Sequence, residues 1–215
     1  MVAKRRLIGL MGGTFNPIHY GHLVAAETAR DAFHLDQVIF VPSGHPPHKT
    51  EALAAAEHRY LMSFLAIAPN AHFDLSRYEI DRPGLSYTSE TLAYYYATDP
   101  HAEWYFITGA DAVLEIASWH APQDLFRYGH LIAASRPGYS LAKLAALSDQ
   151  LGSERVARIH QLEVPALAIS SSQIRDRLRK GLSIKYLVPE AVEYYIEKNG
   201  LYRTGEKSNP DLFEK

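Results

Sequence analysis

Short apolar runs that alternate with amphipathic segments are the feature that most constrains how this chain can fold. Buried strands of a parallel sheet read as short continuous apolar runs, whereas helices packed on a sheet show apolar residues at spacings of three and four. Alternation of the two kinds of segment requires crossover connections. The pattern therefore predicts an α/β fold with a doubly wound, mainly parallel sheet and helices on both faces. The predicted strands are residues 7–11, 38–41, 104–108, 131–134 and 159–164.

The segments between these runs supply the helices, which we predict at residues 21–33, 55–67, 88–96, 110–117, 141–151, 171–180 and 189–198. With 215 residues, of which 47% are hydrophobic, the chain has enough apolar content to bury one full core. No Pro/Gly/Ser-rich linker divides it. We therefore expect a single domain over residues 1–203 and a polar C-terminal tail over residues 204–215.

Charge and composition exclude several classes of protein. The chain has 22 Lys and Arg against 24 Asp and Glu, so no global positive field is present to hold a nucleic-acid backbone. It has no cysteine, which rules out disulfides and thiolate metal sites. The apolar run at residues 7–11 is too short for a signal peptide, and no run approaches the roughly 18 apolar residues of a membrane span. We expect a cytoplasmic protein without nucleic-acid or membrane partners.

The loop after the first predicted strand carries the residue types that bind phosphate. In an open α/β sheet, ligands bind at the carboxyl ends of strands, where helix N-termini present unpaired N–H groups to anions. Glycines allow close approach of the backbone, and a hydroxyl and two imidazoles add further donors. The loop has neither Gly-x-Gly-x-x-Gly nor Gly-Lys-Ser/Thr, which disfavours a dehydrogenase or a P-loop kinase. Its residues are Gly12, Gly13, Thr14, Phe15, Asn16, Pro17, Ile18, His19, Tyr20, Gly21 and His22.

The two histidines of this loop admit more than one interpretation. A separation of three places His19 and His22 on one face of a helix. In an isolated pair, one histidine would cap the helix and the other would be an ordinary half-buried residue; the surrounding loop favours phosphate binding instead. His45 and His48 repeat the spacing, so a four-histidine zinc site is an alternative. Helical zinc pairs prefer a spacing of four with a general-base Glu between them, so we predict no protein metal site.

A second polar cluster, Ser170, Ser171, Ser172 and Arg175, begins the helix predicted after the last strand. Serines at a helix entrance are by default N-caps. Three in a row exceed what one cap uses, and an arginine one turn into the helix can fork onto phosphate oxygens. Together they indicate a cradle for a triphosphate.

These two segments, GGTFNPIHYGH at 12–22 and ISSSQIR at 169–175, match the two signatures of HxGH-type nucleotidyltransferases. Over nearly its whole length the chain resembles the bacterial nicotinate-nucleotide adenylyltransferase family, with further similarity at residues 42–49, 109–111 and 187–202 and at Trp119. The resemblance implies a Rossmann-like form of the predicted fold. It also implies transfer of AMP from ATP to nicotinate mononucleotide, giving deamido-NAD and pyrophosphate, with Mg²⁺ held by the phosphates and water.

The resemblance assigns roles position by position. It implies catalytic roles for His19, His22 and Arg175, and binding of the ATP phosphates by Gly12, Gly13, Thr14, Phe15, Ser170, Ser171 and Ser172. It implies contacts with the mononucleotide for Asn16, His45, His48, Lys49, Thr88, Asp111 and Trp119. Simpler roles are available for three of these: Trp119 could fill the core, Asp111 could cap a helix, and Lys49 could be solvated.

Three other functions compete with this one. A sister HxGH transferase would act on nicotinamide mononucleotide or phosphopantetheine, or would use CTP. Two features favour a pyridine nucleotide instead: Trp119, and the loop formed by Pro46, Pro47, His48 and Lys49. A non-catalytic nucleotide-binding protein would keep the fold and lose phosphate ligands, yet both motifs are intact. A zinc protein would use the four histidines. The sequence carries no signal for an oligomeric state.

Overall fold

The computed structural model describes residues 5–47, 53–136 and 144–203. In these residues six strands form one sheet in which every pairing is parallel, in the order β3-β2-β1-β4-β5-β6. The predicted α/β, doubly wound fold is confirmed. The strands are β1 Leu7–Gly13, β2 Gln37–Pro42, β3 Phe73–Leu75, β4 Glu103–Gly109, β5 His130–Ser135 and β6 Ile159–Glu163.

The strand order creates a switch point in the middle of the sheet. From β1 the chain builds outward through β2 to β3 and then returns to lay β4, β5 and β6 on the other side. The crossovers therefore leave β1 and β4 in opposite directions, which opens a crevice beyond their carboxyl ends. Ligands of doubly wound sheets bind in such a crevice, so the topology alone places the site beside Gly13 and Gly109.

Helices cover both faces of the sheet because successive strand residues point to opposite sides. The helices are α1 Tyr20–Ala32, α2 Ala56–Ile67, α3 Tyr78–Asp81, α4 Thr88–Thr98, α5 Ala110–Leu114, α6 Pro122–Tyr128, α7 Leu144–Leu151, α8 Ser153–Val156, α9 Ser171–Arg179 and α10 Glu190–Lys198. In β1, Leu10 packs into the core with α4, α5 and α6, whereas Met11 packs into the core with α1, α2, α9 and α10. Leu131 and Ile132 of β5 likewise pack on opposite faces of the sheet.

The structure corrects the predicted elements at five places. The edge strand β3 and the short helices α3, α6 and α8 were not predicted, because elements of three to seven residues show too few periods of a pattern. The helix predicted over 110–117 ends at Leu114 and is followed by a 3₁₀ turn at Ile116–Ser118. Val113 and Ile116 are both fully buried, so the apolar spacing continues across the break and concealed it.

The predicted domain boundary at residue 203 and the predicted polar tail at 204–215 stay predictions, because the tail lies outside the described residues.

Within the described ranges, no helix is both long and apolar enough to cross a membrane.

Candidate active site

Two cavities open at the carboxyl ends of β1 and β4, where the strand order reverses. The first has a volume of about 530 Å³, and its walls include His19, His22, Asp111 and Arg136. The second has a volume of about 480 Å³ and lies on the β2 side. Thr108, near the end of β4, lines both cavities. Two molecules bound in them would meet over this residue.

The first cavity is bordered by the β1–α1 loop, residues 14–19, and by the start of α1. His19 is the N-cap residue of α1, with extended backbone, and its N–H donates to Nδ1 of His22 at 3.2 Å. The two imidazoles stack with 3.7 Å between ring centroids. The edge of the Phe15 ring closes the other side of His22 at 5.0 Å. The capping role and the cavity-lining role therefore coexist in one histidine pair.

Burial keeps this histidine pair uncharged. It lowers the pKa of His19 from its usual 6.5 to about 4, because an imidazolium is poorly solvated there. Burial also lowers the pKa of His22, and the neighbouring His19 adds to the shift. Within the described part of the chain, Nδ1 of His19 has no hydrogen-bond partner although the residue is only 6% exposed. A buried polar atom of this kind, at a cavity wall, is a ready contact for a ligand.

The second motif is tied directly to the first. Ser171 Oγ donates to the Pro17 carbonyl at 2.8 Å, and Arg175 Nη1 donates to the Asn16 carbonyl at 2.9 Å. Ser170 is the N-cap of α9, and its Oγ accepts from the N–H of Gln173 at 3.3 Å. Segments more than 150 positions apart in sequence thus form one unit. The default role of the serines as caps holds for Ser170.

The second cavity is built from several chain segments. Its walls include Thr14, Glu79, Thr88 and Trp119. Glu79 is 7% exposed and accepts from Thr91 Oγ1 at 2.5 Å. Burial raises the pKa of this carboxyl group, and hydrogen bonds with Thr91, Ser86 and Ser43 oppose the increase. The cavity therefore combines a flat aromatic wall with a buried acid.

Relatives of known name are similar to this chain over nearly their full length. Residues 10–177 match the cytidylyltransferase-like family. A relative from Moorella thermoacetica, named "Probable nicotinate-nucleotide adenylyltransferase", is 54% identical over 205 residues, which cover 94% of this chain and 94% of the relative. A relative of the same name from Saccharopolyspora erythraea is 51% identical over 203 residues, covering 94% and 92%. The chain belongs to the nicotinate-nucleotide adenylyltransferase family.

Solved structures agree on the fold of this family. The nicotinic acid mononucleotide adenylyltransferase of Plasmodium falciparum, complexed with NaAD, has a TM-score of 0.76 and 21% identity, covering 92% of this chain and 98% of the other. The same protein complexed with APC gives a TM-score of 0.73 at 21% identity and the same coverage. At this identity the likeness establishes the shared fold.

The structure distributes the predicted adenylyltransferase residues over the two cavities. His19, His22 and Asp111 line the first cavity, whereas Thr88 and Trp119 line the second. Gly109 is the N-cap of α5, so Asp111 does not cap the helix; it lies in the first turn and lines the first cavity. Trp119 is half-buried against the core and also faces the second cavity. His45 is exposed next to Pro46 and Pro47, which line that cavity. His48 and Lys49 lie outside the described residues.

Three residues predicted to bind ATP phosphates have packing roles that the sequence did not reveal. A Cβ on Gly12 would lie 2.4 Å from the Phe106 ring, and one on Gly13 would lie 2.8 Å from the Phe15 ring. Phe15 itself has φ 48 and is 2% exposed. The glycines are therefore required by neighbouring aromatic rings, and they line the second cavity rather than the first. A buried Phe15 leaves only its backbone for contact with phosphate.

Asn16 and Arg175 lie beneath the site, and neither lines either cavity. Asn16 is 3% exposed, and its Oδ1 accepts from Tyr202 Oη at 2.8 Å and from the Ala54 N–H at 3.2 Å. Arg175 is 7% exposed. The hydrogen bonds of these two residues hold the β1–α1 loop in place, a role that spacing in the sequence could not distinguish from direct binding.

Sequence reasoning missed several polar residues of the site. Arg136 follows β5 immediately and lines the first cavity, so the rule that ligands bind at the carboxyl ends of strands could have found it. Glu79 and Ser86 line the second cavity from the segment between β3 and α4. Arg59 is fully buried and donates to the carbonyl of Thr14, a residue of the second cavity. Glu79, Ser86 and Arg59 belong to no sequence motif, so only the folded structure shows that they lie near the site.

Proposed function

We propose that this enzyme transfers AMP from ATP to nicotinate mononucleotide, giving nicotinate adenine dinucleotide and pyrophosphate in NAD biosynthesis. The observation that carries the proposal is the pair of cavities that meet at Thr108, one of them walled by the two uncharged histidines at the N-terminus of α1. Two substrates held side by side at a helix N-terminus are what adenylyl transfer from ATP to a mononucleotide requires.

ATP belongs in the first cavity. His19 and His22 offer hydrogen bonds to phosphate oxygens at the positive end of the α1 dipole, and Arg136 adds a positive charge. Ser171 and Arg175 of α9 hold the loop that carries the histidines. Ser172 is exposed at the N-terminus of α9. We assign the triphosphate to this region, with the ISSSQIR segment supporting it.

The mononucleotide belongs in the second cavity. Trp119 offers an aromatic face for a pyridine ring, and Thr88 lies at the first position of α4. His45, His48, Lys49, Asn16 and Asp111 remain proposed contributors to mononucleotide binding or to the loops around it. The curated relatives carry the name of nicotinate-nucleotide enzymes, which supports nicotinate over nicotinamide as the base.

In the proposed reaction, a phosphate oxygen of the mononucleotide attacks the α-phosphorus of ATP. The new P–O bond forms as the bond to the bridging oxygen of pyrophosphate breaks, and that oxygen takes the electron pair. The attacking phosphate is already ionised near neutral pH, since its second pKa is about 6. No general base or covalent nucleophile is needed, so catalysis comes from positioning and from stabilising charge on the leaving oxygens.

Uncharged histidines suit this chemistry. An imidazole with a low pKa binds as a hydrogen-bond donor without trapping ATP through a full ion pair. As negative charge moves onto the bridging oxygen, the hydrogen bonds from His19 and His22 become stronger. A triphosphate beside the rings also raises their pKa, which permits a proton to be shared with the leaving group.

Magnesium fits this site as part of the nucleotide substrate. Within the described ranges, no group of three His, Cys, Asp or Glu side chains is placed to hold a metal ion. Mg²⁺ keeps several waters and binds nucleotide phosphates readily, so we propose that ATP oxygens and water hold it here. When bound, the ion neutralises charge on the leaving pyrophosphate. We also propose a cytoplasmic location, the compartment in which ATP is abundant.

Pyrophosphate release tests the proposal directly. The enzyme is supplied with ATP and Mg²⁺ and, separately, with nicotinate mononucleotide, nicotinamide mononucleotide or phosphopantetheine. We expect release with nicotinate mononucleotide to exceed the others at least tenfold in kcat/KM, because only it presents a carboxylate. Preference for another acceptor would transfer the assignment to a sister transferase, and no release with any of them would refute transfer altogether.

A further inference from the structure

Arg59 of α2 is a buried cation that the proposed reaction does not use. It is 1% exposed, and its guanidinium donates to three backbone carbonyls: Ala54 at 3.1 Å, Thr14 at 2.8 Å and Gly44 at 3.0 Å. Burial lowers its pKa, although the nearby groups Tyr202 and Glu79 oppose the shift. Among the ion pairs found in the described residues, none includes Arg59. Burying a cation on carbonyl acceptors alone is costly, which calls for an explanation.

Two of the acceptors of Arg59 belong to segments that meet at the second cavity, and one of these segments also reaches the first cavity. Thr14 lines the second cavity and opens the β1–α1 loop, which continues to His19 at the wall of the first cavity. Gly44 lies in the segment after β2, between Ser43 and Pro46 of the second cavity. A guanidinium is a rigid planar fork, so it fixes the separation of the carbonyls it binds. We call this guanidinium with its carbonyls of Thr14, Gly44 and Ala54 the Arg59 brace.

The far side of Gly44 is held just as firmly. Ser86 Oγ accepts from the N–H groups of Gly44 at 3.1 Å and His45 at 3.3 Å, and the Ser86 N–H donates to the His45 carbonyl at 3.0 Å. A Cβ on Gly44 would lie 2.0 Å from the Glu79 carbonyl oxygen, so the two segments touch. A continuous set of contacts thus runs from the β1–α1 loop through Arg59 and Gly44 to Ser86 and the wall of the second cavity.

The Ala54 end of the brace returns to the same loop. Ala54 accepts from Arg59 through its carbonyl and donates through its N–H to Asn16 Oδ1 at 3.2 Å. The β1–α1 loop is therefore attached at two points, at Thr14 to Arg59 of α2 and at Asn16 to Ala54, which lies just before that helix. Rotation of this loop against the β2 segment would break charge-assisted hydrogen bonds in a site that excludes water.

We propose that Arg59 is a positioning residue that sets the placement of one substrate against the other without touching either. The proposal rests on the proposed function only in needing a donor in the first cavity and an acceptor in the second. Arg59 does little for the binding of each substrate alone, since each cavity keeps its own wall. It acts on the reaction, because an in-line attack depends on the relative position of two phosphates.

A purely structural role for Arg59 makes a different prediction. A residue that only stabilised the fold would lower the melting temperature when replaced, and the folded fraction would bind and turn over as before. A residue of the binding site would raise the Kd of one substrate. A residue that sets the placement of two loops lowers kcat while both Kd values stay close to normal.

Two replacements and one control distinguish these roles. Arg59→Lys keeps the charge but concentrates its donors on one atom, so it cannot span Thr14 and Gly44. Arg59→Met keeps much of the length and removes all donors. Arg30→Met is the control, because Arg30 lies on α1 and pairs with Glu27 and Asp31, away from both cavities. If Arg59→Met does not fold, Arg59→Lys carries the test.

The measurements are Kd by calorimetry for a methylene-bridged ATP analogue and for nicotinate mononucleotide, each alone, and kcat at saturation, all scaled to the folded fraction. For Arg59→Lys we expect kcat to fall by about 10²-fold, the loss attributed to a misplacement of about 1 Å, with both Kd values within about threefold of wild type. Arg30→Met should match wild type. An unchanged kcat, or a Kd raised more than about tenfold, would overturn the proposal. An inactive wild-type enzyme that still binds both ligands would instead refute the proposed function.

Discussion

Each edge of the sheet carries a stacked pair of histidines, and the two pairs behave differently. At the carboxyl edge, His19 and His22 stack at 3.7 Å beside a cavity, and Nδ1 of His19 has no partner among the described residues. At the amino edge, His130 and His160 stack at 5.1 Å and share a hydrogen bond of 2.9 Å between their ring nitrogens. Burial lowers the pKa in both pairs. Stacking and a low pKa are therefore not sufficient to mark a catalytic histidine.

What separates the pairs is whether their polar atoms are already satisfied. The amino-edge pair is closed by its own hydrogen bond and by the Tyr105 ring, which stacks on His130 at 5.1 Å. The carboxyl-edge pair keeps a buried polar atom, Nδ1 of His19, at a cavity wall beside the N-terminus of α1. Substitutions at the carboxyl edge should therefore change turnover, and substitutions at the amino edge should change stability.

The largest expected effect is at His22. His22→Ala should lower kcat by roughly 10² to 10³, the usual loss when one preorganised donor to a charged transition state is removed. The melting temperature should change little, because the substitution removes both the packing contacts of the imidazole and the free-energy cost of burying this polar ring. Steady-state kinetics and thermal unfolding measure the two quantities. A loss of less than about tenfold in kcat would make His22 a packing residue and erase the contrast between the edges.

A smaller effect is expected in the stability of the ligand-free enzyme against pH. His19 is protonated in the unfolded chain below pH 6.5 but stays neutral in the fold down to about pH 4. The unfolded state then binds more protons, so stability falls as pH falls through this window, by roughly 2 kcal/mol between pH 7 and pH 5 from His19 alone. His19→Gln should lose that part of the slope in urea unfolding. An unchanged slope would mean that His19 is not protected from protonation.

The next largest effect is expected for a substitution at Trp119, which tests whether the second cavity binds the mononucleotide. Trp119→Ala removes the aromatic wall, so KM for the mononucleotide should rise about tenfold, the effect of one lost stacking contact of roughly 1.4 kcal/mol. KM for ATP should stay within about twofold, since Trp119 does not line the first cavity. Equal increases in both constants would show that the two cavities are not independent.

The smallest effect on turnover is expected at the amino edge. His160→Ala should leave kcat and both KM values within about twofold, which makes it the matched control for His22→Ala. It removes the hydrogen bond to His130 and ring contacts with Phe33 and Tyr105, at a cost of about 1 to 2 kcal/mol in unfolding free energy. Chemical denaturation measures this cost. Loss of activity in the folded variant would break the comparison.

The sequence was most informative where function is compressed into short contiguous segments. The β1–α1 loop and the start of α9 each carry their residues within a dozen positions, so both segments could be identified from the sequence. The alternation of apolar runs predicted five of the strands because buried parallel strands are continuous and apolar. The edge strand β3, with exposed Asp74 in a three-residue element, carries no such pattern.

The second cavity and the residues behind the site could not be predicted in this way. Glu79 and Ser86 come from the segment between β3 and α4 and Arg59 comes from α2, and each would be unremarkable as an isolated residue on a helix or in a loop. The chain also does not reveal whether a polar residue faces a ligand or a backbone carbonyl. Arg175 and Ser171, which bind carbonyls of the β1–α1 loop, illustrate that difference.

The most direct test of the central claim is the stereochemistry of transfer. In the proposed reaction, the mononucleotide phosphate in one cavity attacks the α-phosphorus of ATP in the other, in a single in-line step over Thr108. With an ATP analogue made chiral by sulfur at the α-phosphorus, the dinucleotide product should show inverted configuration. Retained configuration would require two displacements through an enzyme-bound intermediate, and would contradict direct transfer between the two cavities.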